Sequence, residues 1–286
     1  MDEASRRDAV DRRLAALTPE LDGAAALLSN AARYALLAPG KRLRPLLAMA
    51  AAEHWGGDPL RALDPGCAIE MVHAASLILD DLPCMDDAAL RRGRPTAHLA
   101  FGEDMAVLAA VALLSRAFAV VGEAEALPVE VRLRLVSRLS EAAGFAGLTS
   151  GQTRDLRDRD SGLAEADVQR LNQEKTGVLF ELAAEAGALA AGVAPLEVMR
   201  ARRFGVHLGA AFQLRDDLLD LESDSEALGK DVWQDGDKPT VARLLGAPGA
   251  RARLNAELAA AMAAAGDGPL SSLARASFGV EAATPS

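Results

Sequence analysis

The stretch Phe212-Gln213-Leu214-Arg215-Asp216-Asp217-Leu218-Leu219-Asp220-Leu221 decides how the chain is read. On a helix running from Phe204 to Leu221, Gln213, Asp216, Asp217 and Asp220 fall at i, i+3, i+4 and i+7 and form one continuous stripe. Phe212, Leu214, Leu218, Leu219 and Leu221 make the rest mostly apolar. A surface helix showing a narrow acidic stripe to water would carry the same pattern. A second acidic cluster, Asp80-Asp81-Leu82-Pro83-Cys84-Met85-Asp86-Asp87, removes much of that ambiguity, because it also follows an apolar helical run. Unpaired charge avoids apolar interiors, so two such clusters imply a bound cation. Mg2+ with a phosphate-bearing ligand suits clustered carboxylates best.

Before the first cluster, His73 and Asp80 share a helix face, and Ala74, Ala75, Ser76, Leu77, Ile78 and Leu79 between them are almost wholly apolar. Asp86 would lie off that face on an ideal helix. Pro83 cannot continue the hydrogen-bond ladder, so a kink at Pro83-Cys84 can return Asp86 toward Asp80. Asp87 would share the face without a kink, and spacing alone leaves both open. Basic groups gather in Leu90-Arg91-Arg92-Gly93-Arg94-Pro95-Thr96 and Gly40-Lys41-Arg42-Leu43-Arg44-Pro45. Either one alone reads as an ordinary helix terminus, but guanidinium groups bind phosphate bidentately. Further polar groups are Gly151-Gln152-Thr153-Arg154-Asp155-Leu156, Glu174-Lys175-Thr176-Gly177, Gly229-Lys230-Asp231 and Asp237-Lys238-Pro239-Thr240. His54, His98 and His207 belong to no metal or triad spacing.

The chain has 286 residues, 50% hydrophobic and 3% aromatic, and Ala, Leu and Arg dominate while β-branched runs are rare. This predicts an all-α fold. Gly and Pro punctuation leaves helical stretches Gly66 to Leu82, Glu103 to Gly122, Val129 to Ser150, Leu171 to Ala191 and Leu196 to Leu221. One domain over 1–286 is expected, with a weaker Ala- and Gly-rich tail after about Gly246. Net charge is -10 with dispersed bases, which argues against a nucleic-acid binder. Cys67 and Cys84 lack zinc or CxxC spacing and read as free thiols. The charged N-terminus is unlike a signal peptide, and no apolar stretch is expected to reach the roughly 18 residues of a spanning helix. A cytoplasmic protein with at most peripheral membrane contact is expected.

These motifs together resemble the trans-isoprenyl diphosphate synthase (polyprenyl synthetase) family, most closely bacterial geranylgeranyl diphosphate synthases of the carotenoid pathway. The resemblance runs from about Gly40 to Thr240. It implies an all-helical bundle around a central cavity, usually a homodimer. It also implies that Asp80, Asp86 and Asp216 hold three Mg2+ ions on the allylic diphosphate, with Asp81, Asp217 and Asp220 in the same acidic machinery. Arg91, Lys175, Thr176, Gln213, Lys230 and Lys238 match the family's allylic-diphosphate contacts, and Lys41, Arg44, His73 and Arg92 match its isopentenyl-diphosphate site.

By this resemblance, relatives that stop at fifteen carbons commonly carry an aromatic residue five positions before the first Asp. Here Ala75, followed by Ser76, stands there, so a twenty-carbon product, geranylgeranyl diphosphate, is expected. The alternatives are farnesyl diphosphate synthase, a class I terpene cyclase and a non-catalytic partner subunit. Cyclases usually replace the second motif by an Asn/Asp-Ser/Thr-Glu type and do not need Lys41, Arg44 and Arg92; partner subunits typically have eroded acidic motifs. The end of the chain lacks the basic tail that closes the site in some relatives.

Overall fold

The computed structural model describes residues 2–158, 164–227 and 240–279. Its α-helices are α1 (Glu3–Leu17), α2 (Ala26–Leu36), α3 (Leu43–His54), α4 (Leu63–Asp80), α5 (Ala97–Phe101), α6 (Glu103–Gly122), α7 (Val129–Ala143), α8 (Leu148–Arg157), α9 (Glu165–Asn172), α10 (Val178–Ala191), α11 (Pro195–Ala227), α12 (Val241–Ala265) and α13 (Pro269–Phe278). The fold is all-α. Among the described residues the only sheet is the two-residue pairing of β1 (Leu90–Arg91) with β2 (Arg94–Pro95). Arg92 and Gly93 both have positive φ between these strands, the backbone of a tight hairpin turn. The arginine-rich segment that resembled a helix terminus is therefore a hairpin.

Packing gathers the chain into two compact units, residues 1–140 with 185–193, and 141–184 with 194–286. In the first unit α4 packs against α3 and α6, and small side chains dominate the contact. Ala48, Ala51, Ala52, Ala68, Ala75, Ala106, Ala109 and Ala110 are all buried. Alanine has high helix propensity and a short side chain, so helices built from it approach closely. α1 begins at an Asp2 cap, whose carboxylate accepts from the Ser5 N–H at 2.8 Å.

In the second unit, α11 buries Leu214 with Val168 and Val241, and Leu218 with Ala242 and Ala250. This apolar contact fixes the rotation of α11 and so the direction of its acidic stripe.

Three expectations about elements change. The stretch Val129 to Ser150 is two helices, because Gly144 and Gly147 interrupt it; the Gly147 N–H closes a turn on the Gly144 carbonyl at 3.2 Å. Residues beyond Gly246 are mostly helical through Phe278, with a break in α12 at Gly246, where φ is 68°, and a short turn at Gly266–Gly268 before α13. Two runs are long and apolar enough to cross a membrane, Pro59–Asp80 with 22 residues and Glu103–Gly122 with 20. Both exceed the expectation from sequence, in which Asp64, Glu70 and His73 interrupt the first run and Arg116 the second. Glu70 is buried in an ion pair there.

Candidate active site

The candidate residues fall in both units. In the first unit α4 ends at Asp80, since Pro83 has no N–H to carry the ladder on. The chain then doubles back, and the Asp86 N–H donates to the Asp80 carbonyl at 3.0 Å. Asp87, in contrast, bonds the Leu82 carbonyl at 3.1 Å and adopts φ 48°. The backbone therefore settles what spacing left open: it is Asp86 that returns to the end of α4. On α4 itself, Ala75 is fully buried, whereas His73, Ser76, Leu77 and Asp80 are partly open and fall on one face. The Ser76 hydroxyl is tied back to the His73 carbonyl at 2.8 Å.

Asp81, the residue after Asp80, is buried in the wall of the cleft that His73 and Leu77 also line. It is 3% exposed, and both its oxygens accept from Arg91, at 3.0 and 3.3 Å from Nε. The fork geometry suits a planar guanidinium. Asp81 thus orients Arg91.

The basic residues separate in the same way. Arg42 is buried and structural: its Nε donates to Asp11 at 2.7 Å, Nη2 to the Ala38 carbonyl at 2.9 Å, and Nη1 lies 3.4 Å from Glu70. Arg92 also donates to the Ala38 carbonyl, at 3.2 Å, and its guanidinium lies across Gly40, where a Cβ would stand 2.8 Å from Nη1. Gly40 thereby makes room for Arg92. Arg42, Glu70, His73, Arg91 and Arg92 line one cleft together with aliphatic residues of α2 and α4, including Leu36, Leu77 and Ile78. Lys41 is exposed outside it.

Burial, followed by the positive charges of Arg44, Arg92, Arg91 and Arg42, holds the His73 pKa well below the ordinary imidazole value. His73 thus stands beside a cationic rim. Such a cleft offers anion recognition above and an aliphatic wall below.

In the second unit, Gln173–Gly177 forms one π-helical turn ahead of α10, a distortion common at functional sites. It presents Lys175 and Thr176. Lys175 donates to Asp155 at 2.7 Å, and Asp155 on α8 is itself buried. Thr176 donates to Gln213 Oε1 at 2.9 Å, and Gln213 Nε2 donates to Asp217 at 2.8 Å. The approach is possible because α11 crosses the π-helical turn at a bare contact, where a Cβ on Gly209 would stand 2.8 Å from the Cα of Gly177. Sequence reasoning assigned no role to Asp155, although it stands in the Gly151 to Leu156 group; the structure shows it as the residue that holds Lys175.

Along the acidic stripe, Asp216 is half-exposed and Asp220 exposed, while Asp217 is 5% exposed. Burial, with the negative charges of Asp220 and Asp216 added, pushes the Asp217 pKa up to about 6. Among the described residues, its buried Oδ2 finds no hydrogen-bond partner, while Oδ1 accepts from Gln213. A divalent cation on this stripe would relieve that repulsion, so the residues fit the metal the sequence implies. Among the described residues no three His, Cys, Asp or Glu side chains form a metal site by themselves. Lys230 and Lys238 lie outside the described residues.

The polyprenyl synthetase family profile matches residues 25–247. This chain belongs to the polyprenyl synthetase family. It is similar to the farnesyl diphosphate synthase of Geobacillus stearothermophilus, 42% identical over 90% of this chain and 87% of that protein. It is also similar to the geranylgeranyl diphosphate synthase of Pantoea ananas, 45% identical over 87% of this chain and 82% of that one. Among solved structures, an FPP/GFPP synthase from Zymomonas mobilis superposes with a TM-score of 0.87 at 36% identity, covering 96% of both chains. This polyprenyl synthetase is accordingly a prenyltransferase. Its two acidic motifs, its π-helical Lys175-Thr176 turn and its arginine-rimmed cleft all lie inside the matched region.

Proposed function

We propose that this prenyltransferase condenses isopentenyl diphosphate head-to-tail with an allylic diphosphate (dimethylallyl, geranyl or farnesyl) and releases geranylgeranyl diphosphate. The observation that carries the reading is the open face of α4: His73 in one cleft with Arg91 and Arg92, Asp80 at the far end, and no aromatic side chain between them. Arg44, Arg92, Lys41 and His73 are assigned to isopentenyl diphosphate. Arg91, Lys175, Thr176 and Gln213 are assigned to the allylic diphosphate, and Asp80, Asp86 and Asp216 are the metal-holding acids. Mg2+, when bound, supplies charge neutralisation for the departing diphosphate.

Chemically, the allylic carbon–oxygen bond breaks and the electron pair leaves with diphosphate. Arg91 and Lys175, each held by its own aspartate, are the side chains assigned to that developing charge. The isopentenyl double bond attacks the allylic carbon, a carbon–carbon bond forms, and a proton is lost to the departing diphosphate. Aliphatic walls keep water from the cation. No side-chain nucleophile takes part. Incubating the purified protein with Mg2+, labelled isopentenyl diphosphate and each primer tests this directly. A twenty-carbon product is expected; a fifteen-carbon end product overturns the chain length, and no elongation overturns the reaction.

Burial refines the chain-length test. Because Ser76 is partly open, Ser76→Phe places a ring on the accessible face and is expected to shift the main product from twenty to fifteen carbons. Ala75→Phe must force its ring into a filled contact, and a stability loss of about 1–3 kcal/mol should accompany any shortening. Chromatography and thermal melting of both variants check this. Unchanged products from both would remove α4 as the ruler.

A homodimer completes the proposal. Val107, Leu108 and Val111 of α6 are 40%, 47% and 57% exposed on an otherwise apolar helix, an aliphatic face that a second copy would cover. Val111→Glu is expected to turn a dimer into a monomer in sedimentation experiments; a variant that remains dimeric excludes this face. Water-soluble substrates agree with a cytoplasmic location and at most peripheral membrane contact.

A further inference from the structure

Helix α13 lies beyond residues 25–247, the part of the chain that the family profile matches, yet its last turn is joined to the second aspartate motif within the same unit. Arg215 makes the join. Its guanidinium carbon stands 4.5 Å from the ring centre of Phe212 and 4.8 Å from that of Phe278. Nη1 donates to the Ser277 carbonyl at 2.7 Å, and Nη2 lies 3.5 Å from Asp216 Oδ1. Phe212 sits one turn away on α11 itself, so Phe278 and the Ser277 carbonyl are what α13 adds.

We propose that the C-terminal turn of α13 is a positioning element for Asp216: Phe278 and the Ser277 carbonyl hold Arg215 against the carboxylate and so fix its direction. This rests on the function proposed above, in which Asp216 holds metal. The physical case has three parts. A half-exposed aspartate on a helix surface keeps one direction only where neighbouring groups restrain it, and Arg215 is one such neighbour. A guanidinium between two aromatic faces loses little by leaving water and keeps a defined plane. Finally, Asp216, Asp217 and Asp220 repel one another, and a fixed cation beside the stripe offsets part of that repulsion before any metal arrives.

The test uses the full chain with Phe278→Leu, which keeps apolar bulk but loses the ring face, and Phe278→Tyr, which keeps both. Mn2+ titration followed by electron paramagnetic resonance, with inorganic pyrophosphate present, reads metal affinity without turnover. Phe278→Leu is expected to raise the half-saturating Mn2+ concentration about three- to tenfold, while Phe278→Tyr stays within about twofold of the parent. In elongation assays the half-saturating Mg2+ should rise by the same factor, with kcat at saturating Mg2+ and KM for isopentenyl diphosphate unchanged. If Phe278→Leu fails to fold, Arg215→Lys, which keeps the charge but loses the fork, should give the same rise. Parental metal affinity in the Leu or Lys variant, or equal loss in the Leu and Tyr variants, overturns the proposal. Failure of the parent to elongate any primer would overturn the functional reading instead, and the Mn2+ titration would still judge the α13 contact.

Discussion

Asp80→Asn is expected to lower kcat/KM for primer elongation by about 10²–10³-fold, the scale on which a preorganised electrostatic contact to a transition state is lost. Its melting temperature should stay within about 2 °C of the parent, since Asp80 is partly open at the end of α4. Asp81→Asn should behave differently, although it is the adjacent residue. Asp81 is buried and takes the Arg91 guanidinium on both oxygens, so neutralising it weakens a charge-assisted pair. A stability loss of about 1–2 kcal/mol is expected, held down because Arg91 is 38% exposed and keeps contact with water. Activity should fall as well, mainly through KM for the allylic substrate, as Arg91 loses its fixed plane. Kinetics and urea denaturation on the two variants together would expose an error: equal catalytic losses with equal stability would mean that the two aspartates share one task.

Glu185→Ala is expected to show the largest effect on stability, about 2–4 kcal/mol in urea denaturation. Glu185 is fully buried on α10 and accepts from Arg134 at 3.0 Å and Arg138 at 2.9 Å, both on α7. Removing the acid opens a void and takes a buried charge partner from both arginines. Arg134 is 46% exposed and can turn to water, so the upper end of the usual range for a broken buried pair is not expected. Glu185→Leu should cost less than Glu185→Ala, because it fills the space. A loss below about 1 kcal/mol in the Ala variant would show that both arginines are fully solvated once released. Catalytic constants should be unaffected at temperatures where the variant is folded.

Glu185 also illustrates what the sequence does not disclose. It is one acid in the apolar run Glu181 to Ala191, and nothing in its spacing names Arg134 and Arg138, which lie about fifty positions upstream. Asp155 is a similar case. Its partner Lys175 is twenty residues away, and only the folded chain shows that a buried carboxylate holds that lysine. Arg42, Arg44 and Lys41 look equivalent in one basic tripeptide-like cluster, yet burial removes Arg42 to Asp11, Glu70 and the Ala38 carbonyl and leaves Lys41 in solvent. In each case the deciding contact is non-local, and local pattern carries no information about it.

The π-helical turn at Gln173–Gly177 and the break between α7 and α8 belong to the same class. Leu171 to Ala191 has helical composition throughout, and the extra backbone residue per turn arises from how this segment meets α8 and α11. Glycines at 144 and 147 mark a possible stop, but glycine is tolerated inside helices, as Gly205 and Gly209 of α11 show.

The sequence by itself determined the all-helical class, through abundant Ala and Leu and few β-branched runs. It also determined the two acidic motifs and the stripe on α11, since helix geometry turns spacing directly into a face. Tertiary structure decided the rest. It brought Asp86 rather than Asp87 back to Asp80, because hydrogen bonding past Pro83 selects one backbone path. It turned Asp81 inward to Arg91, made Ser76 rather than Ala75 the accessible neighbour of Asp80, and joined α13 to Asp216 through Arg215. Spacing fixes which residues share a helix face; only packing fixes which face is filled, and by whom.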